Sequence, residues 1–157
     1  MGKIDIRMAE LGIELPPINP SQGNYLPYRR TGNLVFIAGQ GPRRAGELIW
    51  KGIVGDDLTL EDAQEAARMC ALNLLAQLRA ACDGDLDRVT GVIRLAGLVR
   101  CTVDFELQAK VLNAASDLIC DVFGPAGAHA RIASGTHALP SGMAVEIEAI
   151  FEIAATA

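Results

Sequence analysis

The sequence of 157 residues predicts an α+β two-layer sandwich, one mixed sheet with two long helices on a single face. Three observations predict it. Two stretches, residues 59–82 and about 104–123, repeat apolar residues at intervals of three and four and close on helix-stop signals. The segments around them are β-branched and apolar or alternate at period two. Their order is several strands, long helix, long strand, long helix, two strands, which suits one sheet covered on one side. No repeat, linker or low-complexity segment divides the chain, so a single domain spans 1–157, with 1–20 as an N-terminal extension.

The elements follow in order. Residues 2–12 form a short amphipathic helix, with Ile4, Met8 and Leu11 on one side and Gly12 ending it. Residues 15–23 hold three prolines (Pro16, Pro17, Pro20) and are extended. Residues 25–30 read as a strand, Thr31-Gly32-Asn33 as a turn, and 34–38 as an apolar strand that stops at Gly39-Gln40-Gly41-Pro42. A further hairpin arm occupies 47–54. Thr59 and Asp62 have capping-box spacing, followed by the stripe Ala63, Ala67, Cys70, Leu74, Leu78 and Cys82. Residues 89–103 form the longest strand. Val89, Gly91, Ile93, Leu95, Gly97, Val99, Cys101 and Val103 share one face, and Val92, Arg94, Leu98 and Arg100 the other, with the two glycines open to close approach or a bend. The second helix carries Leu107, Val111, Ala114, Leu118 and Val122 inward and stops at Gly124-Pro125. The sheet face away from the helices keeps apolar residues such as Leu98 and Val92, so it needs a partner.

Composition excludes several classes. Half the residues are hydrophobic but only 4% aromatic, so the core is aliphatic and alanine-rich; the net charge of −5 argues against a phosphate-binding surface, and no nucleic-acid partner is expected. The basic doublets Arg29-Arg30 and Arg43-Arg44 lack interleaved aromatics. Cys70, Cys82, Cys101 and Cys120 form no CxxC and read as buried thiols. No window nears the roughly 18 apolar residues of a membrane span, and the N-terminus lacks a signal-peptide core, so a soluble cytoplasmic protein is expected. His129 and His137 have no serine or cysteine at motif spacing and do not make a zinc site, so both read as structural or exposed. Gly39-Gln40-Gly41 opens no helix and is a turn, not a phosphate loop.

The last third concentrates the chemistry. Residues 129–153 read as two strands joined by a Pro/Gly turn. The second alternates Met143, Val145, Ile147, Ala149, Phe151 and Ile153 against Glu146, Glu148 and Glu152. In the first, Arg131 stands among Ala130, Ala133, Ser134 and Gly135, a cation with room beside it for a small carboxylate. If the two strands pair, Glu146 lies near that space as a proton acceptor.

These segments together resemble the Rid family (the YjgF, or liver perchloric-acid-soluble-protein, family). The resemblance rests on Tyr25, then Gly32-Asn33-Leu34 and Gly39-Gln40-Gly41-Pro42, the long helix, Asn113, Ala130-Arg131, and Leu139-Pro140 leading into Val145-Glu146-Ile147-Glu148-Ala149-Ile150. The wording of residues 110–118 and 127–131 is similar to a side branch labelled YjgF/chorismate-mutase-like or endoribonuclease. The resemblance implies a chorismate-mutase-like fold assembled as a homotrimer around a central β-barrel, with ligand clefts between subunits. It implies hydrolysis of 2-imino or 2-enamino acids to 2-oxo acids and ammonia, a hydrolase needing no cofactor and no metal. Arg131 then binds the substrate carboxylate and Glu146 positions water. Tyr25, Ala38, Asn113 and Ala133 line the cleft, with Ala38 and Ala133 standing where the family usually has serine and often has cysteine. The alternatives are a non-catalytic trimeric module binding a small carboxylic acid, and an endoribonuclease or translation inhibitor, which the acidic charge opposes.

Overall fold

The computed structural model describes residues 1–155. A five-stranded mixed sheet runs in the order β1 (Tyr28–Thr31), β2 (Leu34–Gln40), β7 (Val145–Ile153), β5 (Val89–Arg100), β6 (Ala130–Thr136). Helices α2 (Leu60–Ala81) and α3 (Gln108–Phe123) pack on each other and on one face of this sheet. A two-residue ladder, β3 (Arg43–Arg44) with β4 (Glu47–Leu48), stands apart. The α+β sandwich with both long helices on one side is therefore present.

Helix α2 starts as its sequence predicts. Thr59 Oγ1 accepts the Asp62 N–H at 3.1 Å, and the Asp62 carboxylate accepts the Thr59 N–H at 2.9 Å, pairing two otherwise orphaned donors. The whole predicted stripe, Ala63 to Cys82, is buried, and Ala66, Ala71 and Leu75 are buried beside it. That width explains the alanine content: small side chains let α2 lie close to the sheet on one side and α3 on the other. Helix α3 begins at Gln108 rather than near 104, with Leu107 half-exposed at the cap position. It ends at Gly124, whose φ of 58° reverses the chain.

Strand β5 departs from simple alternation. Irregular pairing with β7 between Val89 and Gly91, and again between Val92 and Arg94, shifts the side chains by one position. Val92 is thereby buried at 3% exposure while Ile93 faces out, the reverse of the predicted faces. Beyond the bulge the order returns: Leu95, Gly97 and Val99 face the helices and Leu98 faces away. A Cβ on Gly97 would overlap the Leu112 side chain, so glycine is what lets α3 approach β5 there. The strand stops at Arg100, leaving Val103 fully exposed.

The strand pairing at the C-terminus also differs from expectation. β6 and β7 do not form a hairpin; β5 lies between them, parallel to β6 and antiparallel to β7. The reason is α3. It carries the chain from β5 back over the sheet face, so the next strand enters beside β5 in the same direction, as crossovers do. The Pro140-Ser141-Gly142 turn then takes the chain past β5 to its far side, where β7, apolar on one whole face, occupies the centre.

The N-terminal helix α1 (Lys3–Glu10) is held from a distance. Asp87 accepts the Lys3 and Ile4 N–H groups at 2.8 Å each, and Asp5 forms an ion pair with Arg79 of α2. Of the predicted arm 47–54 only Glu47 and Leu48 are ladder-paired; Lys51 and Val54 make isolated bridges. No helix among the described residues is long and apolar enough to cross a membrane. Cys70 and Cys82 are buried, Cys101 and Cys120 half-buried, and all four thiols are free.

Candidate functional site

The residues singled out from sequence fall into two groups on opposite faces of the sheet. Arg131 pairs in register with Leu95, which faces the helices, so its side chain turns toward α3. Glu146 pairs with Leu98 on the outward face. With β5 between their strands as well, Arg131 and Glu146 do not meet within one chain, contrary to the expectation from a hairpin.

The first group is built on α3. Ala109, Asn113 and Ser116 follow at intervals of four and three, which puts them on one helix face. Arg131 reaches all three: Nη2 donates to Asn113 Oδ1 at 2.8 Å and to the Ala109 carbonyl at 3.1 Å, and Nη1 donates to Ser116 Oγ at 3.0 Å. The guanidinium therefore leans on the helix rather than standing beside open space as its small strand neighbours suggested. A guanidinium has five N–H donors; Nε–H and one Nη1 hydrogen have no partner among the described residues and remain for an incoming anion. Ala133, two residues on, shares this face and packs against the core.

Sequence reasoning missed Ser116, and His129, read as structural or exposed, is half-buried with structural hydrogen bonds. Ser116 Oγ lies 2.9 Å from His129 Nε2, and His129 Nδ1 lies 2.6 Å from the Gly127 carbonyl. The available signal was the three-residue spacing of two polar side chains, Asn113 and Ser116, on the helix that follows β5. His137 is exposed and apart from this group.

The second group lines a cavity of about 360 Å³ with Tyr25, Ala38, Gly39, Gln40, Arg43 and Glu146 on its walls. Tyr25 precedes β1 instead of lying in it: its N–H closes a local turn on the Gly23 carbonyl at 3.0 Å, and the first backbone bond from this segment to β2 is at Pro27, whose carbonyl accepts the Ala38 N–H at 3.0 Å. The β2 bulge between Ile37 and Gln40 opens the backbone here, and the Gln40 side chain folds back to the Ala38 carbonyl at 3.0 Å. Ala38 brings no hydroxyl to this wall. Glu146 also borders a second hollow of about 500 Å³ on the outward sheet face, with Leu98, Ile132 and Glu148. Burial, and then repulsion from Glu148, raise the Glu146 carboxyl above its ordinary value.

Beside those carboxylates the sheet face also exposes large apolar side chains: Phe36 is 40% exposed, Ile93 43%, Leu98 40% and Ile132 52%. Among the described residues no group of three or more His, Cys, Asp or Glu is placed to hold a metal ion.

Comparisons with known proteins agree with this architecture. The family model described as "YjgF/chorismate_mutase-like, putative endoribonuclease" matches residues 5–149. The curated Protein TCP17 of Trypanosoma cruzi is 40% identical over 153 residues, covering 97% of this chain and 95% of its own. The solved structure of Atu1372 from Agrobacterium tumefaciens, a protein of unknown function, is 44% identical with a TM-score of 0.89, covering 96% of this chain and 92% of that one. A "putative endoribonuclease" from Shewanella oneidensis MR-1 is 32% identical with a TM-score of 0.92, covering 97% of this chain and all of its own.

Proposed function

Because the chain belongs to the YjgF/Rid family, we propose that it hydrolyses 2-imino or 2-enamino acids to 2-oxo acids and ammonia, in a cleft formed where two copies meet. The observation that carries this is the separation of the clamp, Arg131 with Asn113, from the acid, Glu146 with Tyr25, on opposite sheet faces. Neither half is sufficient alone. Each has the chemistry the other lacks, one a guanidinium with unpaired donors and the other a carboxylate beside a cavity. A closed ring of three copies, with the apolar sheet faces turned into a central β-barrel, would bring clamp and acid from neighbours together and cover Phe36, Ile93, Leu98 and Ile132.

In that cleft Arg131 holds the substrate carboxylate and fixes the α-carbon. Ionised Glu146 accepts a proton from water as the water oxygen bonds to the imine carbon, the C=N electron pair moves to nitrogen, and Glu146 passes the proton it received to that nitrogen. The carbinolamine then loses ammonia as its hydroxyl becomes the carbonyl of the 2-oxo acid. The raised Glu146 carboxyl is a stronger base than an ordinary glutamate, which suits this role.

The test is a coupled assay in which an amino-acid oxidase or threonine dehydratase generates imines and 2-oxo acid appearance is followed. Acceleration by the native chain and its loss in Arg131→Ala are expected. A variant that keeps the native rate removes the clamp. The second reading, a module that binds a small carboxylate without turnover, draws on Ala38, whose missing hydroxyl takes one donor from the cavity wall. Calorimetric binding of a 2-oxo acid with no acceleration for any imine would establish it. Ribonuclease activity is disfavoured by the net charge of −5.

A further inference from the structure

We infer that Ser116 and His129 are positioning residues that set the orientation of the Arg131 guanidinium, through a relay running from the Gly127 carbonyl to the clamp. The inference rests on Arg131 being the carboxylate clamp proposed above.

The direction of each bond follows from what each atom can do. The Gly127 oxygen can only accept, so His129 Nδ1 carries the hydrogen of that 2.6 Å bond. With Nδ1 protonated in the neutral ring, Nε2 presents a lone pair, and at 2.9 Å it accepts the Ser116 hydroxyl hydrogen. The Ser116 oxygen is then left with its lone pairs, one of which meets Arg131 Nη1–H at 3.0 Å. Each link of the relay thus pairs one donor with one acceptor, and the Ser116 hydroxyl hydrogen, committed to His129, leaves its oxygen lone pair facing the cation.

Two features make the anchor rigid. Gly127 ends a single 3-10 turn packed against the α3 C-terminus, where an added Cβ would come within 2.8 Å of Cys120 Cα and of the Ile119 carbonyl. Ser116 is one turn from Asn113, so the two guanidinium nitrogens are held by side chains of the same helix face. The arginine plane is thereby fixed at two points before ligand arrives, and its remaining donors keep one direction.

The experiment has two arms, both on the intact full-length chain. In the first, Ser116→Ala and His129→Leu are compared with native protein for binding of 2-oxobutyrate and for imine turnover. Each should weaken binding and raise KM about tenfold, with kcat within about twofold, as loss of one bond to a charged group implies. Ser116→Thr, which keeps the hydroxyl, should restore native affinity, and the double variant should be no weaker than the worse single. In the second, ¹⁵N NMR of the unliganded protein follows rotation of the Arg131 guanidinium, which should quicken in both variants and not in Ser116→Thr. Unchanged rotation and unchanged affinity in Ser116→Ala overturn the inference, as does additive loss of thermal stability without a change in KM. If native protein binds no 2-oxo acid, the carboxylate reading falls, and the rotation measurement still decides the relay on its own.

Discussion

Gly39 and Glu146 compete for one space: a Cβ built on Gly39 would overlap the Glu146 carboxylate and crowd its Cγ. The backbone at Gly39 is not in the left-handed region, so alanine is conformationally permitted there and the conflict is purely with the acid. Gly39→Ala should swing the Glu146 carboxylate away from the cavity. Displacement of about 1 Å at a reacting group costs on the order of 10²-fold in rate. The expected result is that loss in kcat with little change in the thermal midpoint, measured by turnover and a melt on the same preparation.

Glu146 must be ionised to take a proton from water, and burial and Glu148 both oppose its ionisation. Activity should therefore fall on the acid side at a pH above the ordinary glutamate value of about 4.3. Glu148→Gln removes the repulsive partner and lowers the Glu146 value, so the acid limb of kcat/KM should move to lower pH. An acid limb that stays in place would assign it to another group.

A cleft built from two copies allows one copy to repair another. Arg131→Ala and Glu146→Gln should each be inactive alone. When they are unfolded together and refolded as a mixture, roughly a quarter of the interfaces in a random cyclic assembly combine an intact Arg131 with an intact Glu146. Activity recovered to about that fraction, read by the coupled assay, is the expected outcome. Zero recovery in mixed oligomers would mean that both residues serve one site on one chain, or none.

The α2 cap gives a stability test away from the chemistry. Thr59→Ala removes the oxygen that accepts the Asp62 N–H and should cost about 1 kcal/mol. Urea denaturation should show a lower midpoint with an unchanged slope, and turnover of the folded protein should be native.

These relationships were unequally visible in the sequence. The α2 box and stripe, the glycine stop of α3 and the alternation around Glu146 are local, set by side chains within a turn or a strand, and they stand in the structure as read. The bulge in β5 is not local. Val89 to Arg100 alternates without a break in sequence, and only its pairing with β7 shows where a residue is extra. The order of β5, β6 and β7 likewise depends on where α3 sets the chain down, so pairing residues 129–153 as a hairpin puts Arg131 in the wrong neighbourhood. Ser116 and His129, 13 residues apart on a helix and in the loop before a strand, meet because Gly127 lets that loop fold against the helix end. No spacing rule marks such a pair.

The first turn of the N-terminal helix is tied to a carboxylate far along the chain, beside the Asp5–Arg79 ion pair and the buried Met8. The Ile4 and then the Lys3 N–H groups hold the Asp87 carboxyl below its ordinary value. A carboxylate lowered by folding stabilises the structure above its unfolded value, and that contribution drains away as pH falls through the lowered one. Protonation thus weakens the tie at the first turn of α1 while the apolar contacts of the sheet and its two long helices persist. Only at a pH below the ordinary aspartate value of about 3.9 should the first eleven residues exchange their amide hydrogens ahead of the rest, a pH-governed sub-global opening.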